Sequence, residues 1–290
     1  MACLFCGSDK VVNSPYESTL FNNKEFSYLK CASCDLVYIS PFPNNDDFEK
    51  MYPITYQGAF ATAATGRYDW LFKDIEKSGK YSKVLDYGCG EGKFLLEAMA
   101  KGYEVTGVEF NLDLVKSLKA AFPQNDFLST TQFFESDERF DIIFLGNVLE
   151  HLTNPREMIQ IFKSKLLPEG LLVMEGPLED NFTLAGAIRK AFFSVRKKSG
   201  KKVSHTPWHM FFSNYNNQLA VINDAGFETI KYQVKEHPWP FPVKLAECNS
   251  IKSFTFFSIA KLSMLVDKCI YKSGNNFTYI GKSAGNSNNF

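Results

Sequence analysis

The chain has 290 residues, 45% of them hydrophobic and 22% charged, which is enough apolar material for a sizeable core and excludes wholesale disorder. Its 32 basic residues balance 32 acidic ones, so no net field drives it onto nucleic acid or an anionic surface. No run of about 18 apolar residues reads as a membrane span, and Met1-Ala-Cys-Leu-Phe-Cys-Gly7 lacks the charged and apolar regions of a signal peptide. A reducing cytoplasm is the expected compartment.

The first element is a pair of cysteine knuckles. Cys3-x-x-Cys6 is followed, after a 24-residue gap, by Cys31-x-x-Cys34. Four thiolates in two matched pairs satisfy tetrahedral Zn2+ with no open position, the pattern of a structural site. Gly7 and Asp35 follow the pairs where the chain must turn. Glu25 to Lys30 and Leu36 to Ile39 alternate as strands of a hairpin, giving a zinc ribbon over residues 1–45 that ends at Pro41, Pro43 and the polar cluster Asn44 to Asp47. Four free or oxidised cysteines are the alternative. Cys89, Cys248 and Cys269 have no partner spacing and read as ordinary buried thiols.

A connecting helical segment covers 46–80, with an aromatic-rich stretch from Met51 to Phe60 and a helix from about Arg67 to Glu76. Strand and helix then alternate: strands at Val84 to Tyr87, Tyr103 to Glu109, Phe140 to Leu145 and Leu171 to Glu175, with helices at Lys93 to Lys101 and Asp113 to Phe122. Asn154-Pro155-Arg156-Glu157 opens a further helix, with Asn as N-cap and Pro at the first position. Such alternation predicts an α/β fold with a mostly parallel sheet. Residues 178–212 interrupt it with Arg189, Lys190, Arg196, Lys197, Lys198, Lys201 and Lys202 among Phe192, Phe193 and Val195, a lid-like basic insertion over the carboxyl edge of the sheet. A helix from Ser213 to Ala225 closed by Gly226, a strand from Phe227 to Val234, a helix over about 251–270 and a strand from Asn276 to Ile280 complete the domain at 81–282. The Phe-rich part of the late helix reads as core, and 283–290 as a disordered tail.

The chemistry centres on Val84-Leu-Asp86-Tyr-Gly88-Cys-Gly90-Glu-Gly92-Lys93, which leaves a strand and opens a helix. Glycines there let the backbone approach a ligand at a helix N-terminus. Lys93 stands where a dinucleotide fingerprint carries Gly, which disfavours hydride cofactors. Glu109 ends the next strand, 21 residues after Gly88, where it can accept from both hydroxyls of a ribose.

These residues resemble the class I S-adenosylmethionine (SAM)-dependent methyltransferases. Asp86 to Gly92 looks like the family's first motif, and Gly107-Val-Glu109-Phe-Asn its ribose-binding strand end. Phe140 to Leu152, with Asn147, Glu150 and His151, looks like the segment beneath the cofactor, and Pro168-Glu-Gly170-Leu-Leu-Val173 like the next strand. The match covers about residues 81–235. It implies a Rossmann-like seven-stranded sheet whose last strand is antiparallel, with Asp86, Gly88, Gly90, Gly92, Glu109 and Asn147 as cofactor-binding residues. The ribbon, with Cys31-x-x-Cys34-Asp-Leu-Val-Tyr and Pro41-x-Pro43, looks like the N-terminal module of a subgroup that modifies sugars in surface-polysaccharide or natural-product pathways. Leu128 to Gln132 offers no acidic residue of the kind the family often places near adenine.

An alcohol acceptor must lose its proton as it attacks, which calls for a general base. Of the four histidines, His151 is the first candidate, beyond the strand that bears Asn147, and a helix-packing or capping role is its alternative. His209, in His205-Thr-Pro-Trp-His209, is the second, with a packed loop histidine as its alternative. Glu150-His151 also resembles a pair that helps bind a divalent ion in ubiquinone-type O-methyltransferases, which carry a further Glu where this chain has Asn147. The expected partner is a small-molecule acceptor, a sugar or nucleotide-linked sugar. DNA is not expected, and RNA and peripheral membrane contact are disfavoured. The competing readings are a tRNA or protein methyltransferase and a non-catalytic SAM-binding scaffold.

Overall fold

A computed structural model describes residues 2–52, 65–198, 204–238, 242 and 244–283, with side chains left aside at 192–194 and 196–198. The sequence expectations for 53–60, 199–203 and 284–290 lie outside the described residues, as do those for the side chains of Phe192, Phe193, Arg196, Lys197 and Lys198.

The principal sheet has seven strands: β5 (Lys83–Tyr87), β6 (Glu104–Glu109), β7 (Asp126–Ser129), β8 (Phe140–Gly146), β9 (Leu166–Pro177), β11 (Phe227–Lys235) and β12 (Asn276–Ser283), in the order β11-β12-β9-β8-β5-β6-β7. All neighbours are parallel except β12, which runs antiparallel to both β9 and β11. This is the seven-stranded Rossmann-like sheet that the resemblance implies, with its antiparallel strand in the expected place. Ser283, expected in the tail, is the last residue of β12. The central strands are continuous apolar runs because helices cover both faces: Val84 and Leu85 of β5 and Ile142 and Ile143 of β8 are fully buried.

On one face, α2 (Asp69–Ser78), α3 (Lys93–Ala100) and α4 (Leu112–Ala121) bury Leu71, Phe72, Phe94, Leu95 and Leu118 in a shared cluster. Glu97, buried within α3, accepts from the backbone N–H groups of Arg67 (2.8 Å) and Tyr68 (2.7 Å) and so ties down the start of α2. On the other face, α5 (Thr130–Glu135), α6 (Pro155–Lys165) and α8 (Tyr215–Asp224) pack with Phe133, Phe162 and Ile222. The strand β7 and helix α5 escape the sequence reading, because both are short. The Ser129 to Gln132 stretch is a capping box that starts α5. At α6, Pro155 sits in the first turn as expected, but the Asn154 side chain makes no capping hydrogen bond.

The cysteine module is a second, antiparallel sheet: β1 (Val11–Asn13), β2 (Thr19–Phe21), β3 (Lys24–Cys31) and β4 (Val37–Ser40). Its outer strand comes from 170 residues away in rough sequence separation: β10 (Phe211–Phe212) pairs with β4 through Phe211 opposite Tyr38. The basic stretch 178–212 therefore divides. Its first half holds α7 (Leu184–Lys198), and its last residues complete the ribbon sheet. Phe5 meets Phe211 edge-on at 4.9 Å and Tyr28 stacks on Phe212 at 4.9 Å, so the ribbon shares one apolar cluster with the principal sheet. The polar cluster after Pro43 is not a simple terminator. Asn44 caps α1 (Asn45–Met51) in a capping box with Asp47, and Lys24 of β3 pairs with the buried Asp47 at 2.8 Å.

Two expectations about apolar residues fail. The helix α9 (Ile251–Asp267), read as core, fully buries only Ala260 and Ser263, half-buries Phe257, Ile259, Met264 and Val266, and leaves Ile251, Phe254, Phe256, Leu262 and Leu265 exposed. Of the three unpaired-spacing cysteines only Cys89 is buried, whereas Cys248 is half-buried and Cys269 exposed.

Candidate active site

Strand order reverses at β5, whose neighbours β6 and β8 lead off in opposite directions, and ligands in open α/β sheets bind outside the carboxyl ends of strands at such a point. The glycine loop emerges there. The N–H groups of Gly88 and Cys89 both donate to the Val108 carbonyl, at 2.8 and 3.0 Å, which pins the loop to β6. Gly88 has φ +76°, and a Cβ on it would lie 2.5 Å from Val148 Cγ2, so both conformation and space demand glycine. Gly90, with φ +51°, has nothing within 4 Å of the place its Cβ would occupy, leaving that backbone open to a ligand.

Glu109 is buried at the end of β6. Its Oε2 accepts from the Gly90 N–H (3.1 Å), and its Oε1 from the Phe110 and Asn111 N–H groups (2.9 and 3.1 Å). A carboxylate has about four lone-pair sites, so acceptor capacity remains for hydroxyl donors. Asp86 is buried beside it, and every influence on it favours the neutral acid: burial first, then the charges of Glu109 and Glu175. Glu175, near the end of β9, is also pushed up by burial, offset in part by Arg67 and by a hydrogen bond from the Tyr68 hydroxyl at 3.2 Å. Asn147 follows β8 with φ +55°, its N–H donating to the Glu175 carbonyl at 2.8 Å and its side chain exposed. Asp86, Gly88, Gly90, Gly92, Glu109 and Asn147 thus all lie on loops and strand ends at the carboxyl edge.

A second cluster adjoins this edge. His151 closes a 3-10 turn (Leu149–His151) after β8, and its Nδ1 lies 2.8 Å from the Trp208 carbonyl and 2.7 Å from the Tyr52 hydroxyl. A carbonyl only accepts, so Nδ1 carries the proton and Nε2 is the unprotonated nitrogen, 3.8 Å from Glu150 Oε1. The Tyr52 ring also meets Phe110, the residue after Glu109, at 5.7 Å, and so bridges the two clusters. The His209 and His151 rings stand 4.8 Å apart, and His209 Nδ1 lies 2.6 Å from Glu179 Oε2.

Their surroundings drive the two histidines in opposite directions. Burial, aided by the nearby His209 charge, pushes His151 down to about 4, so it is neutral at pH 7. Burial opposes protonation of His209 too, but Glu179 and then Glu150 outweigh it and raise it to about 9. Glu150 is itself pushed up to about 7 by burial. Glu150, His151 and His209 each bring one donor atom within 4.8 Å of the others, a span that one divalent ion can bridge. A protonated His209, however, has no free lone pair for an ion. The opposite protonation of the two histidines suits proton transfer.

The ribbon supports this cluster. The Ile39 N–H of β4 donates to the Met210 carbonyl (2.9 Å), while the Met210 N–H donates to the Glu150 carbonyl (2.7 Å), fixing His209 against the 3-10 turn. The Tyr16 hydroxyl reaches the Glu179 carbonyl and Asp180 Oδ1, both at 3.0 Å. Glu179, Tyr52 and Trp208 carry no signal in the sequence, because each meets its histidine only through the tertiary fold. Glu175 has a weak one, a carboxylate at the predicted carboxyl end of a strand.

The four ribbon cysteines converge. Cys3 and Cys34 have sulfurs 3.5 Å apart, as do Cys6 and Cys31, and all four lie within 4.8 Å of one another. Zn–S bonds of about 2.3 Å in a tetrahedron require S···S edges of about 3.8 Å. Gly7 (φ +72°) and Asp35 (φ +62°) turn the two knuckles, their N–H groups donating to the Cys3 and Cys31 carbonyls. The donor set fits Zn2+.

Fold, switch-point loop and strand-end carboxylate together define a nucleoside-cofactor-binding α/β protein. The family model described as a methyltransferase domain matches residues 60–243, more than half of the chain, and the chain belongs to that family, carrying a class I SAM-dependent methyltransferase domain. YqeM of Bacillus subtilis, named for a methyltransferase, is 28% identical over 173 residues, 55% of this chain and 66% of its own. The ubiquinone biosynthesis O-methyltransferase of Actinobacillus pleuropneumoniae is 36% identical over 102 residues, 31% of this chain and 43% of its own. The chain thus spans less than two thirds of either relative. Among solved structures, a chain from the Haloferax volcanii complex of the Trm112 methyltransferase activator with a methyltransferase superposes with a TM-score of 0.52 at 12% identity, covering 74% of this chain and 89% of that one, a likeness of fold. No helix among the described residues is long and apolar enough to cross a membrane.

The edge fits SAM on its own chemistry. Buried Asp86 and Glu175 are held toward neutrality by burial, and a cationic ligand relieves that cost. The open backbone at Gly90 and the acceptor at Glu109 suit the rest of a nucleoside.

Proposed function

We propose that the protein transfers a methyl group from SAM to a hydroxyl of a small acceptor, a sugar or nucleotide-linked sugar, with His151 as the proton acceptor. The observation that carries this reading is His151 itself: neutral at pH 7, its Nδ1–H held by the Trp208 carbonyl and its Nε2 unprotonated, 3.8 Å from Glu150 Oε1. When bound, SAM supplies a methyl group already activated on a cationic sulfur. Asp86 holds the cofactor's ammonium, Glu109 its ribose, and the Gly88, Gly90 and Gly92 backbone its methionine end, with Asn147 along its side. His151 takes the hydroxyl proton at Nε2 as the acceptor attacks, and His209, kept cationic by Glu179, stabilises negative charge growing on that oxygen. Tyr52, Trp208 and Phe110 offer aromatic faces beside His151 for the apolar face of a sugar ring. The O-methylation named for the Actinobacillus relative supports a hydroxyl acceptor. The sugar preference rests on the ribbon and Pro41-x-Pro43, which resemble the sugar-modifying subgroup. Cys3, Cys6, Cys31 and Cys34 hold a structural Zn2+, in a ribbon made of residues 1–45 and completed by β10.

Purified protein with methyl-labelled SAM and an extract of source cells tests the acceptor. Label in carbohydrate or nucleotide-sugar fractions is the expected result. Label in RNA or protein overturns the sugar reading, and SAM binding with no label in any fraction favours the scaffold.

The Asp86→Asn variant removes the buried charge that a cationic cofactor neutralises. SAM affinity is expected to fall by about ten- to a hundredfold, the worth of one charge-assisted hydrogen bond. Calorimetric titration in buffers of different ionisation enthalpy should also show that the variant releases fewer protons than the parent on binding SAM. Equal affinities would remove Asp86 from the cofactor site.

A further inference from the structure

We propose that α7 and α9 form a face that docks on the surface of an anionic lipid bilayer. A helix laid on a domain normally turns its apolar stripe inward. In α9 the buried residues are the small Ala260 and Ser263. Ser263 Oγ accepts from the Ala185 N–H of α7 (3.1 Å) and donates to Glu236 (2.8 Å), so this is the attached side. Ile251, Phe254, Leu262 and Leu265 are 89%, 52%, 53% and 58% exposed. At 3.6 residues per turn they fall within an arc of about 80°, roughly opposite Ala260. The helix is apolar on most of its circumference, half-burying Phe257, Ile259, Met264 and Val266 and leaving Ile251, Phe254, Leu262 and Leu265 as an outward apolar strip. Ile188 and Val195 of α7 and Tyr271 beyond α9 are exposed as well.

Charge selects the occupant. From Ile251 to Lys272 the chain carries Lys252, Lys261, Lys268 and Lys272 against a single acid, Asp267. The Lys252 and Lys261 ammonium groups lie 5.8 and 5.5 Å from the Phe256 and Phe257 ring centroids, with cation and apolar surface side by side. An apolar stripe flanked by lysines matches the boundary between acyl chains and anionic headgroups. A two-fold dimer through the same patch would set these cations against their own copies. The balanced charge of the whole chain makes this concentration local, which is why composition hides it.

The test is flotation of the full chain with phosphatidylcholine vesicles, with and without phosphatidylglycerol. Binding is expected only when phosphatidylglycerol is present, weakening as salt rises. Lys252→Glu with Lys261→Glu should weaken it by at least about thirtyfold, and Leu262→Asp with Leu265→Asp by about a hundredfold or more. Lys252, Leu262 and Leu265 are exposed and Lys261 half-buried, so unchanged melting temperatures will show that the variants fold. Equal binding to both vesicle types, or protein left in the soluble fraction with phosphatidylglycerol present, overturns the proposal. A dimer that Leu262→Asp dissolves, without vesicle binding, overturns it in favour of a second copy of the chain.

Discussion

Replacing His151 with alanine is expected to lower turnover by about 10²–10⁴-fold, the usual worth of a positioned base, while SAM affinity changes by less than about threefold. The separation follows from geometry: His151 is held by Tyr52 and the Trp208 carbonyl, whereas Glu109 is held by the N–H groups of Gly90, Phe110 and Asn111. His209→Gln should cost less, about 10–100-fold, because it removes a stabilising cation rather than the proton acceptor. The pH profile separates the two roles. His151 works unprotonated and its ordinary value is lowered, so activity falls only as pH drops through about 4. His209 works protonated and its value is raised, so activity falls as pH climbs through about 9, and the Gln variant should lose that alkaline limb. Glu150, near 7, adds a shallow inflection between them. Full turnover by His151→Ala, measured by single-turnover methyl transfer, would remove it from the mechanism.

The second large effect concerns the cysteines. Protein as purified is expected to carry one zinc per chain, and Cys31→Ser to lose it with more than about 4 kcal/mol of stability, a fall in melting temperature of roughly 10 °C for a chain of this size. Activity should fall with the metal. β4 holds Met210 by the Ile39–Met210 hydrogen bond, Met210 holds Glu150, and Tyr16 holds Glu179, so a loosened ribbon releases His209 and its partner together. Hydrogen exchange at Ile39 and Met210 should therefore accelerate in the variant while β5 and β6 stay protected. A metal-free preparation with undiminished melting temperature would rule out structural zinc, and full activity in a metal-free variant would leave the ribbon as an appendage.

The two predictions differ in how far the sequence foreshadows them. Cys3-x-x-Cys6 and Cys31-x-x-Cys34 are legible because a knuckle is local: two thiolates and a turn at Gly7 or Asp35 need only a few consecutive residues. The glycine loop and Glu109 are legible for the same reason, one strand and one turn apiece. His151 and His209 can be named as candidates, but nothing in the chain announces that Glu179 will hold one and the Trp208 carbonyl the other. Their opposite protonation arises from burial and charges that converge only in three dimensions. The error at α9 has a related cause. Ile251, Phe254, Leu262 and Leu265 look like a core stripe, and hydrophobic periodicity shows that a face exists without showing which way it turns.

The sequence by itself determined the alternation of strands and helices, the cofactor loop and the four-cysteine knuckles. All of these depend on short-range spacing and backbone preference. Only the tertiary structure decided that Phe211 and Phe212 return to complete the ribbon, that the ribbon thereby braces the histidine pair, and that α9 turns its apolar stripe outward. Those features depend on contacts between segments as much as 170 or so residues apart, where loop closure carries little memory of local sequence.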